Sequence, residues 1–371
     1  MALEIGNNVT SVLYNGNPVT SIVYNGVTVW TVNSPTPPTP SIDYSKEYLT
    51  LTPWEDSCTF TIFLYSGVSA NMSYSYDKST WTSLSYNTNT ITVNKGVNVY
   101  LKGSNYRLAN SDNYSRNCYI RGNKLFEVSG NIMSLIWSDD FEGKTNLING
   151  GSDTFAFFAL FDASSSNPNK ILTARNMVLP CTQYTTKIYQ SLFSNNHYML
   201  YAPKELPQQE SQGSNTLVWM FANCYALQET PVVRLTNYGS GDSWRTYILS
   251  QCTGLKRTIF LVSSNYPSMP SSVNPIKYKS SSNTYSTGTV RVFSENSSDY
   301  VHIWGESEIP YACYASGFSD YYQVGDEVTL VATAINGATF AGWYEGGTLV
   351  SSNATYTFTS SVDRNLIMKT T

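Results

Sequence analysis

The chain has 371 residues, a net charge of −4 and a pI near 5.3, and 13% of its residues are charged. Soluble proteins average about 25% charged residues. The chain lacks the basic stripe that nucleic-acid binding requires, and it lacks a run of about 20 apolar residues that could insert into a membrane. Its length allows several domains. With 29 tyrosines and many Ser, Thr and Asn residues, it is expected to be mainly β.

Residues 1–32 contain an eight-residue unit that occurs twice with a period of ten, at Val9–Gly16 and Val19–Gly26. Each copy is a β-branched run that ends in Asn-Gly, the strongest short-range signal for a two-residue hairpin turn. A further strand, Val27–Trp30, closes a predicted meander that is too small to be stable by its own core. We therefore expect it to dock, on a copy of itself or on a larger platform. The predicted docking residues are Tyr14, Asn15, Gly16, Tyr24, Asn25, Gly26 and Trp30.

Residues 33–41 form a linker with four prolines, which favours a semi-rigid polyproline II spacer of about 3.1 Å per residue. The doubled Tyr-Asn-Gly unit before it resembles the N-terminal segment of structural proteins from gut Bacteroides phages, including crAss-like phages. That resemblance implies a virion-attachment module. The alternative is an ordinary N-terminal meander that packs on its own chain, from which the spacer would separate it.

Residues 42–128 are predicted to form an Ig-like β-sandwich, because short runs of alternating apolar residues are separated by turn residues. The predicted strands are 48–52, 58–65, 72–76, 90–93 and 97–101. The segment Ser75-Tyr76-Asp77, followed by Trp81, resembles a recurrent β-module of Bacteroides surface and phage proteins. We expect Trp81 to lie in the core rather than to serve as a sugar-stacking platform.

Residues 129–305 are predicted to form a solenoid with caps, because the segment 161–264 repeats with a period of 28 and such units bury their apolar edges against each other. Cys224 and Cys252 share one position of the repeat, which Asn196 occupies in the preceding copy. Phe161 is displaced from the register by four residues, as an insertion near 164–170 would produce. The predicted repeat core is Ile171, Phe193, Met199, Phe221, Cys224, Leu227, Leu249, Cys252 and Leu255.

The fullest copy of the repeat, at 218–235, has apolar residues at helical spacing in its first half and a β-prone run after Pro231. Its residues Phe221, Cys224, Leu227 and Pro231 resemble the divergent leucine-rich repeats of Bacteroides-type surface antigens. That resemblance implies an irregular α/β solenoid.

Atypical caps are expected at both ends of the solenoid. We predict an opening strand at 129–137, a last strand at 289–293 and a short capping helix at 299–304.

Residues 306–371 contain Val324-Gly325-Asp326 and Gly342-Trp343-Tyr344, and this segment resembles the Listeria–Bacteroides B-repeat. The resemblance implies a small β-grasp-like extracellular module that acts as a spacer or contact surface. Trp343 is expected to be its core aromatic residue.

The sequence contains no residue pattern that is typical of a catalytic or metal-binding site. The six cysteines are scattered without a CxxC spacing, so we expect reduced and buried thiols. The acidic cluster Asp139–Glu142 lacks the spacing of a calcium loop. His197 and His302 have no nucleophile near them in sequence, and Glu205, Glu210, Glu229 and Asp242 cannot be paired from sequence alone. We predict no catalytic residue, metal ligand or cofactor, while glycan or protein binding stays open.

These features predict a mainly β, multidomain phage virion structural protein. Residues 1–8 have no recognisable signal peptide, and a virion protein made in the host cytoplasm and released by lysis would not need one. We expect a capsid- or tail-attached fibre or decoration protein that docks through its N-terminus, forms a homo-oligomer and adheres to a host surface protein or glycan. The alternatives are a bacterial surface adhesin whose signal has been removed and a tail-associated polysaccharide depolymerase.

Overall fold

The computed structural model describes residues 12–14, 17–19, 21–24, 27–31, 42–111, 113–149, 155–163, 169–184, 186–204, 206, 211–212, 216–228, 233–235, 248–252, 254, 257–262, 289–294, 300–309, 311–316 and 319–371. Most of the regular elements are strands, so the chain is mainly β with several sheets, as the sequence predicts. Among the described helices, none has the length and hydropathy that crossing a bilayer would require.

The N-terminal strands form two separate hairpins. Their bounds are β1 Val12–Tyr14, β2 Asn17–Val19, β3 Ser21–Tyr24 and β4 Val27–Thr31. Tyr14 pairs with Asn17, and Tyr24 pairs with Val27, so two residues separate the strands of each hairpin, at the predicted Asn-Gly positions. The predicted meander is wrong in one respect, because no pairing joins β2 to β3 among the described strands.

Residues 49–131 contain two sheets, which we call the sandwich. The bounds are β5 Leu49–Pro53, β6 Cys58–Leu64, β7 Met72–Ser75, β8 Thr82–Ser83, β9 Asn87–Val93, β10 Val99–Gly103, β11 Tyr119–Gly122 and β12 Phe126–Asn131. One sheet has the order β12-β5-β10-β7-β8 and the other has the order β11-β6-β9. Alternate residues of β6 are buried between them, because successive side chains of a strand point to opposite faces.

Trp81 does not belong to the buried core, so that prediction is wrong. It is partly exposed just before β8. The Trp81 ring contacts the ring of Tyr48, with centroids 5.0 Å apart, and the ammonium of Lys102 lies 4.1 Å from its centroid. The short strand β8, which follows Trp81, lies at the edge of its sheet.

Strand β12 belongs to both the sandwich and the solenoid. It pairs antiparallel with β5 and parallel with two strands of the first repeat, β13 Ile171–Thr173 and β14 Met177–Val178. The strand therefore crosses the boundary that the sequence predicted between residues 128 and 129. The predicted opening strand at 129–137 ends at Asn131, and the helix α1, Ser134–Trp137, follows it. Short 3-10 helices lie at Tyr44–Lys46, Ser66–Val68 and Ser138–Asp140.

Beyond β13 the solenoid consists of parallel strands. Its remaining strands are β15 Gln183–Tyr184, β16 Ser211–Gln212, β17 Val233–Leu235, β18 Arg257–Val262 and β19 Thr289–Ser294. Parallel pairs form between β15 and β16, and in the order β17-β18-β19. Thr173 and Tyr201 form a further parallel bridge 28 residues apart. The last strand lies where the sequence predicted it.

The first half of each repeat is a ribbon of consecutive turns, so the predicted helical segments are wrong. The N–H of Leu192 donates to the Tyr189 carbonyl within its turn at 3.1 Å, whereas the next N–H, of Phe193, donates to Met220 in the following repeat at 2.9 Å. Left-handed φ values of 58° and 64° at Ser191 and Asn195 also interrupt any helix. Successive turns share the three-residue apolar spacing of a helix, which explains the wrong prediction.

The C-terminal module contains two facing sheets. Its strands are β20 Tyr300–Ser307, β21 Cys313–Ser316, β22 Ser319–Gln323, β23 Glu327–Ala334, β24 Phe340–Glu345, β25 Thr348–Ser351, β26 Thr355–Thr359 and β27 Arg364–Thr370. One sheet has the order β22-β20-β27-β24-β25 and the other β21-β23-β26. Trp343 is fully buried between them. The elements assigned to the described residues of 300–371 are all strands, whereas a β-grasp would include a helix.

The predicted capping helix at 299–304 is also wrong, because residues 300–304 belong to β20. Val301 and Ile303 alternate along it and are buried in the C-terminal core. Strand β20 pairs in parallel with β27, near the other end of the module. The module therefore includes residues 300–307, which lie partly before the predicted start at 306.

Candidate functional site

The predicted docking residues lie at equivalent places in the two hairpins. Tyr14 and Tyr24 are the last residues of β1 and β3, and Trp30 pairs with Ile22 across the second hairpin. Asn15, Gly16, Asn25 and Gly26 lie outside the described residues. The four described strands pair only within their own hairpins.

The repeat interior is a continuous column of stacked side chains. The rings of Phe161, Phe193 and Phe221 are 5.6 and 5.5 Å apart between centroids, with planes within 6° of parallel. Phe161 and Phe193 are thus equivalent, although 32 residues separate them in the sequence. Since Thr173 and Tyr201 keep the spacing of 28, four additional residues lie between Phe161 and Thr173, in agreement with the predicted insertion. The described members of the predicted repeat core are all buried: Ile171, Phe193, Met199, Phe221, Cys224, Leu227, Leu249 and Cys252. Leu255 lies outside the described residues.

The shared Asn and Cys position is a buried hydrogen-bond donor. Asn196 donates its amide N–H to the Phe161 carbonyl at 2.7 Å. Cys224 donates its thiol to the Phe193 carbonyl at 3.2 Å, and Cys252 donates to Phe221 at 3.0 Å. Sequence reasoning treated this position as packing alone. The sequence did carry a sign of this role. Asn and Cys alternate at one position of the repeat, and both are small side chains that can donate a hydrogen bond.

The cysteines are poor nucleophiles. The structure holds all six as free, buried thiols. Burial raises the pKa of Cys58, Cys118 and Cys313 to about 11 and the pKa of Cys252 to about 12, and it also raises the pKa of Cys224. A thiol reacts through its thiolate form, which these pKa values suppress at neutral pH.

A buried carboxylate lies at one end of a polar ladder in the repeats. Asn223 donates to the side-chain oxygen of Asn195 at 2.7 Å, and Asn195 donates to Asp162 at 3.0 Å. Burial raises the pKa of Asp162 to about 7, although its hydrogen bonds with Asn195 and Ser194 and the guanidinium of Arg121, 3.9 Å away, act in the opposite direction. Sequence reasoning did not find Asp162, since nothing in its local pattern indicates burial.

The acidic cluster at Asp139–Glu142 is largely paired with lysines. Asp139 accepts from Lys102 at 2.8 Å and from the Tyr48 hydroxyl at 2.8 Å, and both hydrogen bonds lower its pKa. Asp140 pairs with Lys144 at 2.9 Å. Among the described residues, no three His, Cys, Asp or Glu side chains form a group that could hold a metal ion.

The other residues considered for chemistry are two histidines and four carboxylates. The His197 ring lies 4.7 Å from the Tyr225 ring, in the same position one repeat later. His302 lies on β20. The carboxylates Glu205, Glu210, Glu229 and Asp242 lie outside the described residues.

A cleft separates the C-terminal module from the sandwich and the first repeats. Its volume is about 560 Å³, counting its open mouth. It is lined by Tyr44, Trp54, Glu127, Leu172, Thr173, Arg175, Asn176, Tyr201, Ser307, Cys313, Tyr314, Ala315 and Met368. We call it the module cleft. Its lining comes from segments that are far apart in the sequence, so no local motif could have predicted it.

Two contacts hold the C-terminal module in place beside this cleft. The side-chain amide of Asn336 donates to the backbone carbonyl of Trp54 and, at 2.7 Å, to that of Tyr311. The Tyr311 ring packs directly over Gly96, where a Cβ would overlap it. The C-terminal module therefore packs on the loop at 94–97 of the sandwich.

Comparison with known proteins found no match, whether to a family model, a curated protein or a solved structure. A function is therefore proposed from the residues of the chain and their geometry alone. The module cleft combines aromatic rings with amide, carboxylate and guanidinium groups. Its only thiol among the described residues, Cys313, is 1% exposed, and burial raises its pKa to about 11.

Proposed function

We propose that this chain is a structural protein of a phage virion, a capsid- or tail-attached fibre or decoration protein. It docks through residues 1–32 and displays its β-rich body to the host surface. The observation that carries the proposal is the pair of N-terminal hairpins, whose described strands pair with no other sheet. Isolated two-stranded hairpins are marginal in water, and the proline-rich segment at 33–41 separates them in sequence from the body.

The state of the cysteines supports synthesis in a reducing compartment. All six are free and buried, whereas proteins exported to oxidising surroundings commonly form disulfides. This observation favours a virion protein, made in the host cytoplasm and released by lysis, over a bacterial surface adhesin.

The body supports a role in adhesion. Its solenoid repeats offer an extended face, the kind of surface that such proteins use for binding. Large aromatic side chains are exposed there, with Tyr198 at 46%, Trp219 at 40% and Tyr225 at 43%. Exposed aromatic rings of this kind suit a host protein or glycan as the partner.

The docking role is tested by supplying tagged variants during particle production and measuring the tag in gradient-purified particles. The full chain should enter particles. Deletion of residues 1–41 should abolish incorporation, and so should the double substitution Gly16→Val and Gly26→Val, because Val resists the positive φ that both turn positions need. Gly143→Val is the matched control, since Gly143 has a φ of +68° on the body with no neighbour within 4 Å, and it should enter normally.

Two outcomes would contradict the proposal. Equal incorporation of the deleted chain would show that the hairpins do not dock, and recovery of the full chain on bacterial cells but not in particles would favour the adhesin. Light scattering of the purified chain tests the homo-oligomer that we also propose. Release of reducing sugars from host capsule would favour a depolymerase.

A further inference from the structure

We infer that the edge strand β26, Thr355–Thr359, is the surface through which two copies of this chain pair, antiparallel and across a twofold axis. The pairing joins the three-stranded sheets β21-β23-β26 of two C-terminal modules into one continuous sheet. The inference gives the proposed homo-oligomer a specific interface, and it rests on the proposed function in that respect alone.

One side of β26 presents backbone groups that pair with no described strand. Among the described strands, β26 pairs with β23 alone. The Ser360 N–H, directly after β26, donates to the Asp326 carbonyl at 2.8 Å. Because hydrogen-bonded positions alternate along an antiparallel pair, the even-numbered residues of β26 direct their backbone groups towards β23. The odd-numbered residues direct their N–H and C=O groups to the open edge, and these residues are Thr355, Thr357 and Thr359.

The sequence of β26 is complementary to itself. Read in either direction, Thr-Tyr-Thr-Phe-Thr alternates threonine with an aromatic residue. An antiparallel pair centred on Thr357 sets Thr357 opposite itself and Thr355 opposite Thr359 of the second copy. These residues have the open backbone groups, so each such pair exchanges both of its N–H···O bonds. The same register sets Tyr356 opposite Phe358 at the closely spaced positions between them, where aromatic pairs stabilise a sheet.

The side chains of β26 are ordered within one chain. On the exposed face the hydroxyls of Thr357 and Thr329 lie 3.0 Å apart. On the other face the rings of Tyr356 and Phe358 have centroids 5.0 Å apart. The guanidinium of Arg364 donates to the Tyr356 hydroxyl at 3.0 Å and lies 4.4 Å from the Phe358 centroid. Side chains that are fixed before association lose less entropy when two copies pair.

The other edge strands of the module are protected against such pairing. Strands β22 and β25 each join their neighbour with a shift in register, and bulges of this kind twist an edge away from a partner. Strand β22 also contains Asp320. Strand β21 lies beside the sandwich, where the Tyr314 ring is 6.2 Å from the Trp54 ring.

Strand β26 has none of these protections. Its register with β23 is continuous, and it contains neither a proline nor a charged residue. Native proteins usually charge, bend or cover an edge of this kind. A partner strand of the same sequence would cover it, and no like charges on the two strands would meet across the axis.

The test is sedimentation velocity of the full chain over a series of concentrations, because one strand pair buries little area and the dimer should be weak. The natural chain should show monomer and dimer in a ratio that depends on concentration. Thr357→Pro should raise the dimer Kd by about tenfold or more, because proline removes an N–H at the open edge and keeps the ladder with β23. Thr333→Lys, on the same exposed face but in the central strand β23, is the control and should dimerise normally.

Charge at position 357 tests the register. Thr357→Lys and Thr357→Glu should each weaken the dimer, because like charges would face each other across the axis. An equimolar mixture of the two variants should restore the dimer, because opposite charges would then meet. Only a register that sets Thr357 opposite itself predicts both results.

Thermal unfolding of each variant checks that it folds, and the charge variants replace Thr357→Pro if that variant does not. A natural chain that stays monomeric up to about 1 mM would overturn the inference. So would an oligomer that the variants at Thr357 leave unchanged, which would assign the association to another surface, such as the N-terminal hairpins. The particle test is independent of this one. Normal incorporation without a β26 dimer would overturn the interface alone, and a β26 dimer without incorporation would overturn the docking proposal alone.

Discussion

The thiol of Cys224 lies 3.2 Å from the carbonyl oxygen of Phe193, to which it donates a hydrogen bond inside the solenoid. The two residues belong to successive repeats, and both are fully buried. The thiol adds a donor from the next repeat to a carbonyl that also accepts from the backbone N–H and the side-chain amide of Asn196. One buried donor per repeat thus links each turn ribbon to the next.

The first prediction concerns the same position in the preceding repeat. Asn196→Ala should destabilise the protein by about 1–3 kcal/mol, because it removes the hydrogen bonds that the Asn196 amide donates to the buried carbonyls of Phe161 and Phe193, at about 0.5–1.5 kcal/mol each. Asn196→Cys should cost much less, since it keeps a donor and removes the Asn196 side-chain oxygen, which has no partner in the described structure. Denaturant unfolding of the two variants measures the difference. Equal destabilisation by both would mean that the position serves only for packing.

The second prediction concerns the aromatic column. Phe193 stacks on Phe161 and on Phe221, so Phe193→Ala should cost about 3–5 kcal/mol by leaving a cavity between two rings. Phe193→Leu should cost less, because Leu249 occupies this register in the last described repeat. Unfolding free energies again provide the measurement. A small effect of the Ala variant would contradict the view that the column stabilises the solenoid.

The third prediction is a pH dependence. Burial disfavours the carboxylate and raises the pKa of Asp162 from its ordinary value near 4 to about 7. Between these two pH values the folded state keeps a proton that the unfolded state has lost, so stability should fall as pH rises from about 4 to about 7. At one pKa unit per 1.36 kcal/mol, the loss is at most about 4 kcal/mol.

Asp162→Asn removes this titration and keeps an acceptor for Asn195. The variant should therefore gain stability over the natural chain as pH rises from 4 to 7, which unfolding at a series of pH values would detect. A constant difference across this range would contradict a raised pKa at Asp162.

The fourth prediction concerns the contact of the C-terminal module with the loop at 94–97. Gly96→Ala should displace Tyr311, because the new Cβ would overlap its ring. Limited proteolysis should then release the module, or a separate unfolding step should appear. Gly143→Ala is the control, with a similar positive φ but open surroundings, and its cost should be limited to backbone strain of about 1–2 kcal/mol. Equal behaviour of the two variants would show that the Gly96 contact does not hold the module.

The sequence by itself determined the features that depend on neighbours along the chain or on strict periodicity. It predicted the mainly β class, the hairpin connections at Asn-Gly, most strands of the sandwich and the last strand of the solenoid. The period of 28 residues also predicted an insertion after Phe161. Such features are encoded by local turn chemistry and by repeated spacing, so they can be recognised before any tertiary contact is known.

Only the tertiary structure decided how the repeats are built and where the segments meet. The turn ribbon depends on hydrogen bonds between repeats, and β20 is a strand because it pairs with β27, some 60 residues away. The module cleft likewise joins Trp54 to Tyr314 across 260 residues of sequence. These outcomes depend on which distant backbone groups and side chains meet in space, and no local pattern carries that information.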